Sequence, residues 1–481
     1  HVVVGVGDGG STKGQSWEAA NVASNLNLDN LILWCDFNNA QVMGKYEEVS
    51  GRMDLKGMYR LAGFNTYEAD GHDFQQIHRA FSETIDSGAP SFILFRTKMG
   101  KGSPTMEQKD YKCHGVGFDS HNLEDAKKII LELGGDPEEL EESVSNRHNI
   151  YPVKLGKQLR PEVLSIETGK RFIYTNEDVN AKEPRKAFGA ALEDIERLNE
   201  GSPILIIGND CDLGESTNIN RLKRVVQHGI REHHAAVFSS ALSILPDIIS
   251  LFSTFGVFGT SEVYNQLRIT NASKCNLKIF LTHVGISVGE DDFTHHCIDY
   301  IGLLRNLSDF ILISVPDGNF TDAITRYAIS KTGNFLVTMP RSPSQMITKI
   351  DGSPFYDENY TISPMHYDRI RSHKRANAAI IAHGVMVAKA LEIYRILKNQ
   401  GITLDVYAAP FVKNIDKEAI EDALSTKNVF IYEDHLRSTG LGSLIADAIM
   451  SDTKLRKEYR NIENWKIFGL EKLGPSGSYK D

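Results

Sequence analysis

The chain has 481 residues, 41% hydrophobic and 24% charged, with a formal net charge of −10. This composition suits two or three globular domains and excludes a mainly disordered or fibrous chain. An acidic balance without a concentrated basic tract argues against a general nucleic-acid binder, and no apolar run approaches the ~18 residues of a membrane span.

No signal-peptide pattern opens the chain. The five cysteines, Cys35, Cys113, Cys211, Cys275 and Cys297, are odd in number and form no CxxC pair. A reducing, cytoplasmic setting is therefore expected, with neither a disulfide framework nor a structural zinc site. Residues 1–6 predict a short buried strand running straight into Gly7-Asp8-Gly9-Gly10. A domain rarely begins inside its own sheet. The expectation is that the first domain lacks its N-terminal part, either missing from this sequence or supplied by a separate chain.

Strands are predicted at 30–35 and 90–95, and helical spacing covers 16–28 and 73–87. Such alternation implies a mostly parallel sheet covered on both faces. From about Gly134 the sequence turns charged, then passes Pro152 and a basic stretch at 154–171. This divides a first domain, 1–150, from a connection at 151–177. A second α/β domain, 178–345, carries strands at 203–208, 278–282, 310–315 and 335–339 and an apolar helix at 232–245. The polar segment 346–375, with Pro354 and Pro364, reads as another linker. A third domain, 376–481, is predicted from strands at 378–382, 403–407 and 428–433 around a helix at 386–400. The fold class is α/β, with three doubly wound parallel-sheet domains, the first N-terminally incomplete.

Gly7-Asp8-Gly9 ends one predicted strand, and Asn38 follows 38 − 8 = 30 positions later at the end of the next. If those parallel strands are neighbours, their carboxyl ends bring a carboxylate and an amide oxygen together where α/β folds bind ligands. One hard cation could then hold a diphosphate, with glycine backbone close to phosphate. The alternative is a plain turn at GDG and a plain loop at Asn38. Gly229-Ile230-Arg231-Glu232-His233-His234 opens the apolar helix; an acid in a first helical turn is also an ordinary dipole partner. A third cluster runs from Thr282 to His296, with His283, His295 and His296 beside Glu290, Asp291 and Asp292. So many proton-transfer groups after a buried strand suggest chemistry, although a solvated loop is the alternative. Zinc is conceivable there, but the spacing matches no trusted metal motif.

Taken together these motifs resemble the transketolase family, closest to its short or split types. GDG with an Asn thirty residues on is the thiamine-diphosphate fingerprint. Gly14-Gln15-Ser16-Trp17-Glu18-Ala19, Gly100-Lys101-Gly102, His114-Gly115, the GIREH run, Ser253-Thr254-Phe255, the THxGIxVGED run, Pro340-Arg341 and Tyr432-Glu433-Asp434-His435 match in order. The resemblance covers essentially the whole chain, in the order diphosphate-binding, pyrimidine-binding and C-terminal domain.

The resemblance implies a transferase moving a two-carbon ketol unit from a ketose donor to an aldehyde acceptor through a thiamine-diphosphate ylid. It implies that Asp8, Asn38 and the Ala40 carbonyl hold Mg²⁺, with Gly9 at the diphosphate. Phe255 and Phe258 would stack around the aminopyrimidine, and Glu232 would share a proton with its N1′ atom. His114, His283 and His295 would shuttle hydroxyl protons, Asp291 would bind a donor hydroxyl, and Arg341 would pair with a substrate phosphate. A homodimer with active sites at its interface follows from the resemblance, with no nucleic-acid or membrane partner. The alternatives are a thiamine-dependent carboligase acting on a 2-oxo acid, a subunit of a 2-oxo-acid dehydrogenase, or a degenerate non-catalytic homologue. Lys13 stands where the family carries Glu, Asp292 replaces a glycine, and His296 replaces a glutamine.

Overall fold

The computed structural model describes residues 1–114, 123–139 and 165–474. Gly115 and the 151–164 part of the expected connection lie outside the described residues. The chain divides into two compact units, His1–Gln158 and Leu159–Asp481.

The first unit holds β1 (Val2–Gly7), β2 (Leu31–Phe37), a small ribbon of β3 (Ala40–Gln41) and β4 (Gly44–Lys45), then β5 (Asn65–Asp70) and β6 (Ser91–Arg96). The sheet order is β1-β2-β6-β5, with every neighbour parallel. Alternating side chains explain its two covered faces. Cys35, Phe92 and Leu94 pack with Ala20 and Ala23 of helix Gly14–Asn25, and Ile32, Ile93 and Phe95 pack with Ala80 of helix Phe74–Thr84. Asp73 caps the second helix, its carboxylate accepting from the amides of Gln75 and Gln76. The buried first strand expected from the sequence is corrected here. β1 is an edge strand, and Val2, Val3 and Val4 are 54%, 52% and 42% exposed. An apolar run alone does not say whether a strand is covered.

The second unit contains two further sheets. One is fully parallel, in the order β11-β12-β10-β9-β7-β8: β7 (Leu205–Asp210), β8 (Val225–Gln227), β9 (Ile248–Phe255), β10 (Lys278–Thr282), β11 (Phe310–Ser314) and β12 (Asn334–Thr338). The other runs β13-β15-β14-β16-β17: β13 (Asp368–Arg371), β14 (Ala378–Ala382), β15 (Leu404–Ala408), β16 (Asn428–Leu436) and β17 (Asn464–Leu470). Only β13 is antiparallel to its neighbour in that sheet. One core joins the two sheets, running from Leu251, Phe280 and Val337 to Ile380, Leu404 and Val406. The polar segment between them is more than a spacer: Ile347 and Tyr356 are fully buried in that core, and β13 extends the last sheet. Each such apolar side chain contributes about 1.5–3 kcal/mol by leaving water, which keeps the segment down.

Candidate cofactor and substrate site

Register places the first cluster. Gly7 of β1 lies opposite Asp36 of β2, so Asp8 and Asn38 leave the sheet side by side at its carboxyl edge. Asp8 opens the single turn Asp8–Ser11, and its Oδ1 accepts from the Gly9 amide at 2.6 Å. The side chain is only 5% exposed, and its Oδ2 has no well-aligned hydrogen-bond partner among the described residues. Burial raises its pKa, opposed by the Gly9 amide and the nearby Asn39 amide and reinforced by the charge of Asp36. Asn38 accepts the Ala40 amide at 2.9 Å through Oδ1 and donates to Asp36 at 3.2 Å. The other Asp36 oxygen accepts from the Thr97 hydroxyl. Asn39, at φ 56, turns the chain so that Ala40 enters the cleft wall.

The cleft above this edge is lined by Asp8, Gly9, Asn38, Ala40 and His114, so all five expected residues meet there. Asp36 also lines it and was missed. Its signal was available, since Asp36 lies near the carboxyl end of β2, two residues before Asn38. Among the described residues, no group of three or more His, Cys, Asp or Glu side chains could hold a metal ion. A cation at Asp8 would therefore draw on amide and carbonyl oxygens, the donor set of a hard ion. The orphaned, buried carboxylate oxygen fits that use, because leaving it unsatisfied is costly.

The second cluster lies in the other unit. β9 and β10 are parallel neighbours with Phe255 opposite Thr282, which puts Phe255 beside His283. Their rings stack with centroids 3.7 Å apart and 25° between planes. Phe258 lies nearly parallel to Phe255 at 6.2 Å, and His295 presents its edge to both phenylalanines at 6.0 and 5.4 Å. His283 occupies the left-handed region at φ 59, an uncommon conformation that clusters at functional sites. Burial lowers its pKa to about 3, helped by Arg185, Arg341 and His295, so the imidazole is neutral at pH 7.

Asp291 Oδ2 lies 3.1 Å from Arg341 Nε and 3.6 Å from His283 Nε2. Arg341 also donates to the Val288 carbonyl at 2.7 Å. Glu232 is 5% exposed and opens helix Glu232–Leu242, which packs Ala235 and Ala236 against Phe252 of β9. Arg185, on helix Pro184–Leu198, carried no sequence signal; only the fold brings its charge to His283.

Three family models match in chain order: "Transketolase, thiamine diphosphate binding domain" over residues 1–156, "Transketolase, pyrimidine binding domain" over 181–345, and "Transketolase, C-terminal domain" over 369–468. The chain belongs to the transketolase family. Human transketolase-like protein 2 is 25% identical over 452 residues, covering 92% of this chain and 68% of the relative. The crystal structure of transketolase from Campylobacter jejuni matches with a TM-score of 0.77 at 22% identity, over 99% of this chain and 74% of the other. A structure described as split gene transketolase, inactive beta4 tetramer, matches at a TM-score of 0.52 and 24% identity, over 62% of this chain and 91% of the other. At these identities the structural likeness speaks for the fold alone.

Lys13, Asp292 and His296, which the resemblance sets apart, have distinct settings. Lys13 is exposed at the start of helix Gly14–Asn25. Asp292, at φ 72 and ψ 177, holds a conformation that suits glycine, and its carboxylate accepts from the Phe293 amide at 2.6 Å. His296 is buried, with Nδ1 lacking a partner and its pKa lowered chiefly by burial.

Proposed function

We propose that this transketolase-family chain is a thiamine-diphosphate- and Mg²⁺-dependent transferase, moving a two-carbon ketol unit from a ketose donor to an aldehyde acceptor. The observation that carries this reading is the row Asp291–Arg341 and His283 laid against the Phe255 ring. It combines a carboxylate, a guanidinium and a neutral imidazole, which are the groups a polyhydroxylated and phosphorylated sugar needs. They stand beside planar rings suited to a heteroaromatic cofactor.

In this reading Asp8, Asn38 and the Ala40 carbonyl hold Mg²⁺, with the Gly9 backbone at the diphosphate. The unpartnered Asp8 oxygen supports that assignment. When bound, thiamine diphosphate supplies the carbon nucleophile that attacks the donor carbonyl. Glu232 would hold a proton toward the cofactor's pyrimidine nitrogen N1′, and Phe255 and Phe258 would hold that ring. His283, neutral at pH 7, can take a hydroxyl proton at Nε2, while His295 and His114 serve further substrate hydroxyls. Asp291 accepts from a donor hydroxyl, and Arg341 pairs with a phosphate through its planar fork. We place the active enzyme in the cytoplasm as a homodimer with its sites at the subunit interface.

The test supplies a ketose labelled with ¹³C at C1 and C2, an aldehyde acceptor, thiamine diphosphate and Mg²⁺. Both labelled carbons should appear in a product lengthened by two carbons. Carbon dioxide release from a 2-oxo acid, with no cleavage of any ketose, would instead identify a carboligase.

A further inference from the structure

The loop that carries His283, Asp291 and His295 is gripped at both stems by the C-terminal sheet. Three successive residues at the end of β16 make the contacts. Both carboxylate oxygens of Asp434 accept from the Ile286 amide, at 3.1 and 3.2 Å. His435 Nε2 accepts from the Ile301 amide at 3.0 Å. The Leu436 amide donates to the Ile298 carbonyl at 2.8 Å. The Gly285 amide donates to the Cys297 carbonyl at 2.9 Å and closes the loop at its base.

β16 is shaped for this task. Its pairing with β17 shifts register between Tyr432 and Leu436, which releases the intervening residues from the ladder and lets them aim at the loop. His435 uses its other nitrogen, Nδ1, on the Leu436 carbonyl at 2.9 Å; burial holds its pKa down to about 4, so the ring stays neutral while accepting from Ile301. Gly285 is required by the same contact. It sits at φ +95, and a Cβ there would lie 2.0 Å from Asp434 Oδ2. Asp434 is 9% exposed and lines a small cavity with Gly285, Met339 and His383, and both its oxygens converge on the Ile286 amide.

We infer that Asp434 is a positioning residue, through which the C-terminal sheet fixes the loop that presents His283, Asp291 and His295. The inference rests on the function proposed above for what that loop does, and on geometry alone for how it is held. It also gives the C-terminal domain a task in a site to which it contributes no expected substrate ligand.

The experiment compares full-length wild type, Asp434→Ala, Asp434→Asn and Gly285→Ala. Each is followed by hydrogen–deuterium exchange of peptides covering 283–297, by donor KM and kcat, and by thiamine diphosphate affinity in Mg²⁺. Asp434→Ala should speed exchange at Ile286 on the order of tenfold and raise the donor KM on the order of tenfold. Cofactor affinity should stay within about twofold, because Asp8 and Asn38 are untouched. Asp434→Asn keeps one acceptor for the Ile286 amide and should restore most of both losses. Gly285→Ala, which pushes the carboxylate away, should reproduce the faster exchange even where Asp434→Ala fails to fold. Unchanged loop exchange in both Asp434→Ala and Gly285→Ala would overturn the clamp, as would an Asn variant no better than Ala. If wild type transfers no ketol unit, the proposed function falls, while the exchange rates still decide the clamp.

Discussion

The two clusters solve opposite electrostatic problems. At the carboxyl edge of β1 and β2, Asp8 is buried beside a second acid, Asp36, and one of its oxygens has no well-aligned partner. Around His283 the one acid, Asp291, is paired with Arg341, Arg185 adds a second positive charge, and the imidazole is kept neutral chiefly by burial. In the function proposed above, a cation completes the first cluster. The second already pairs its acid with a base, although His296 in the same loop keeps an unpartnered buried nitrogen. An unsatisfied buried oxygen points to the charge of what it would hold, whereas groups already paired with one another point only to the kinds of contact they can exchange.

Substitutions can break this comparison. The largest effect is expected from Glu232→Gln, which keeps size but removes the acid; turnover should fall on the order of 10²–10⁴-fold with cofactor binding largely intact. Steady-state rates beside a binding titration check it, and normal turnover would remove Glu232 from proton relay. Next comes Asp8→Ala, for which the Mg²⁺-dependent affinity for thiamine diphosphate should drop on the order of 100-fold. Substrate KM measured at saturating cofactor should barely move.

Acidification sharpens the same contrast. The folded pKa of Asp8 is raised, so a proton competes with the cation at a higher pH than at an ordinary carboxylate. Cofactor binding should weaken as pH falls through that raised value, while this group alone makes the metal-free fold more stable over the same change. Binding titrations and melting curves across pH should therefore slope in opposite directions. His283, with its pKa lowered to about 3, is half protonated only near pH 3 and stays neutral across the range in which Asp8 titrates. The smallest effect is expected at Asp292. Glycine there relieves the backbone at φ 72 and ψ 177 but loses the contact to the Phe293 amide, for a net stabilisation of about 1 kcal/mol in denaturant unfolding.

Much of this was legible in the sequence because it depends on local pattern and parallel order. The apolar runs giving β2, β6, β10, β11 and β14 mark buried parallel strands, and the thirty-residue step from Asp8 to Asn38 has meaning only if β1 and β2 are neighbours, as they are. β9 was not read as a strand, since Ser250, Ser253 and Thr254 interrupt its apolar text. Those hydroxyl residues are fully buried all the same, and Ser253 donates to the Phe280 carbonyl at 2.6 Å. The exposure of Val2–Val4 was misread because hydrophobicity does not encode a sheet edge. Arg185 beside His283 and Asp434 beside Ile286 are separated by too many residues for any local pattern to join them.

The most direct test of the account is calorimetric titration of thiamine diphosphate into the full chain, first with Mg²⁺ and then with EDTA, for wild type and Asp8→Ala. Wild type should show one saturable, Mg²⁺-dependent event, abolished by EDTA and strongly weakened by the substitution. Equal binding with and without the cation, or binding indifferent to Asp8, would contradict the claim that the unpartnered carboxylate oxygen is where the cofactor's metal is held.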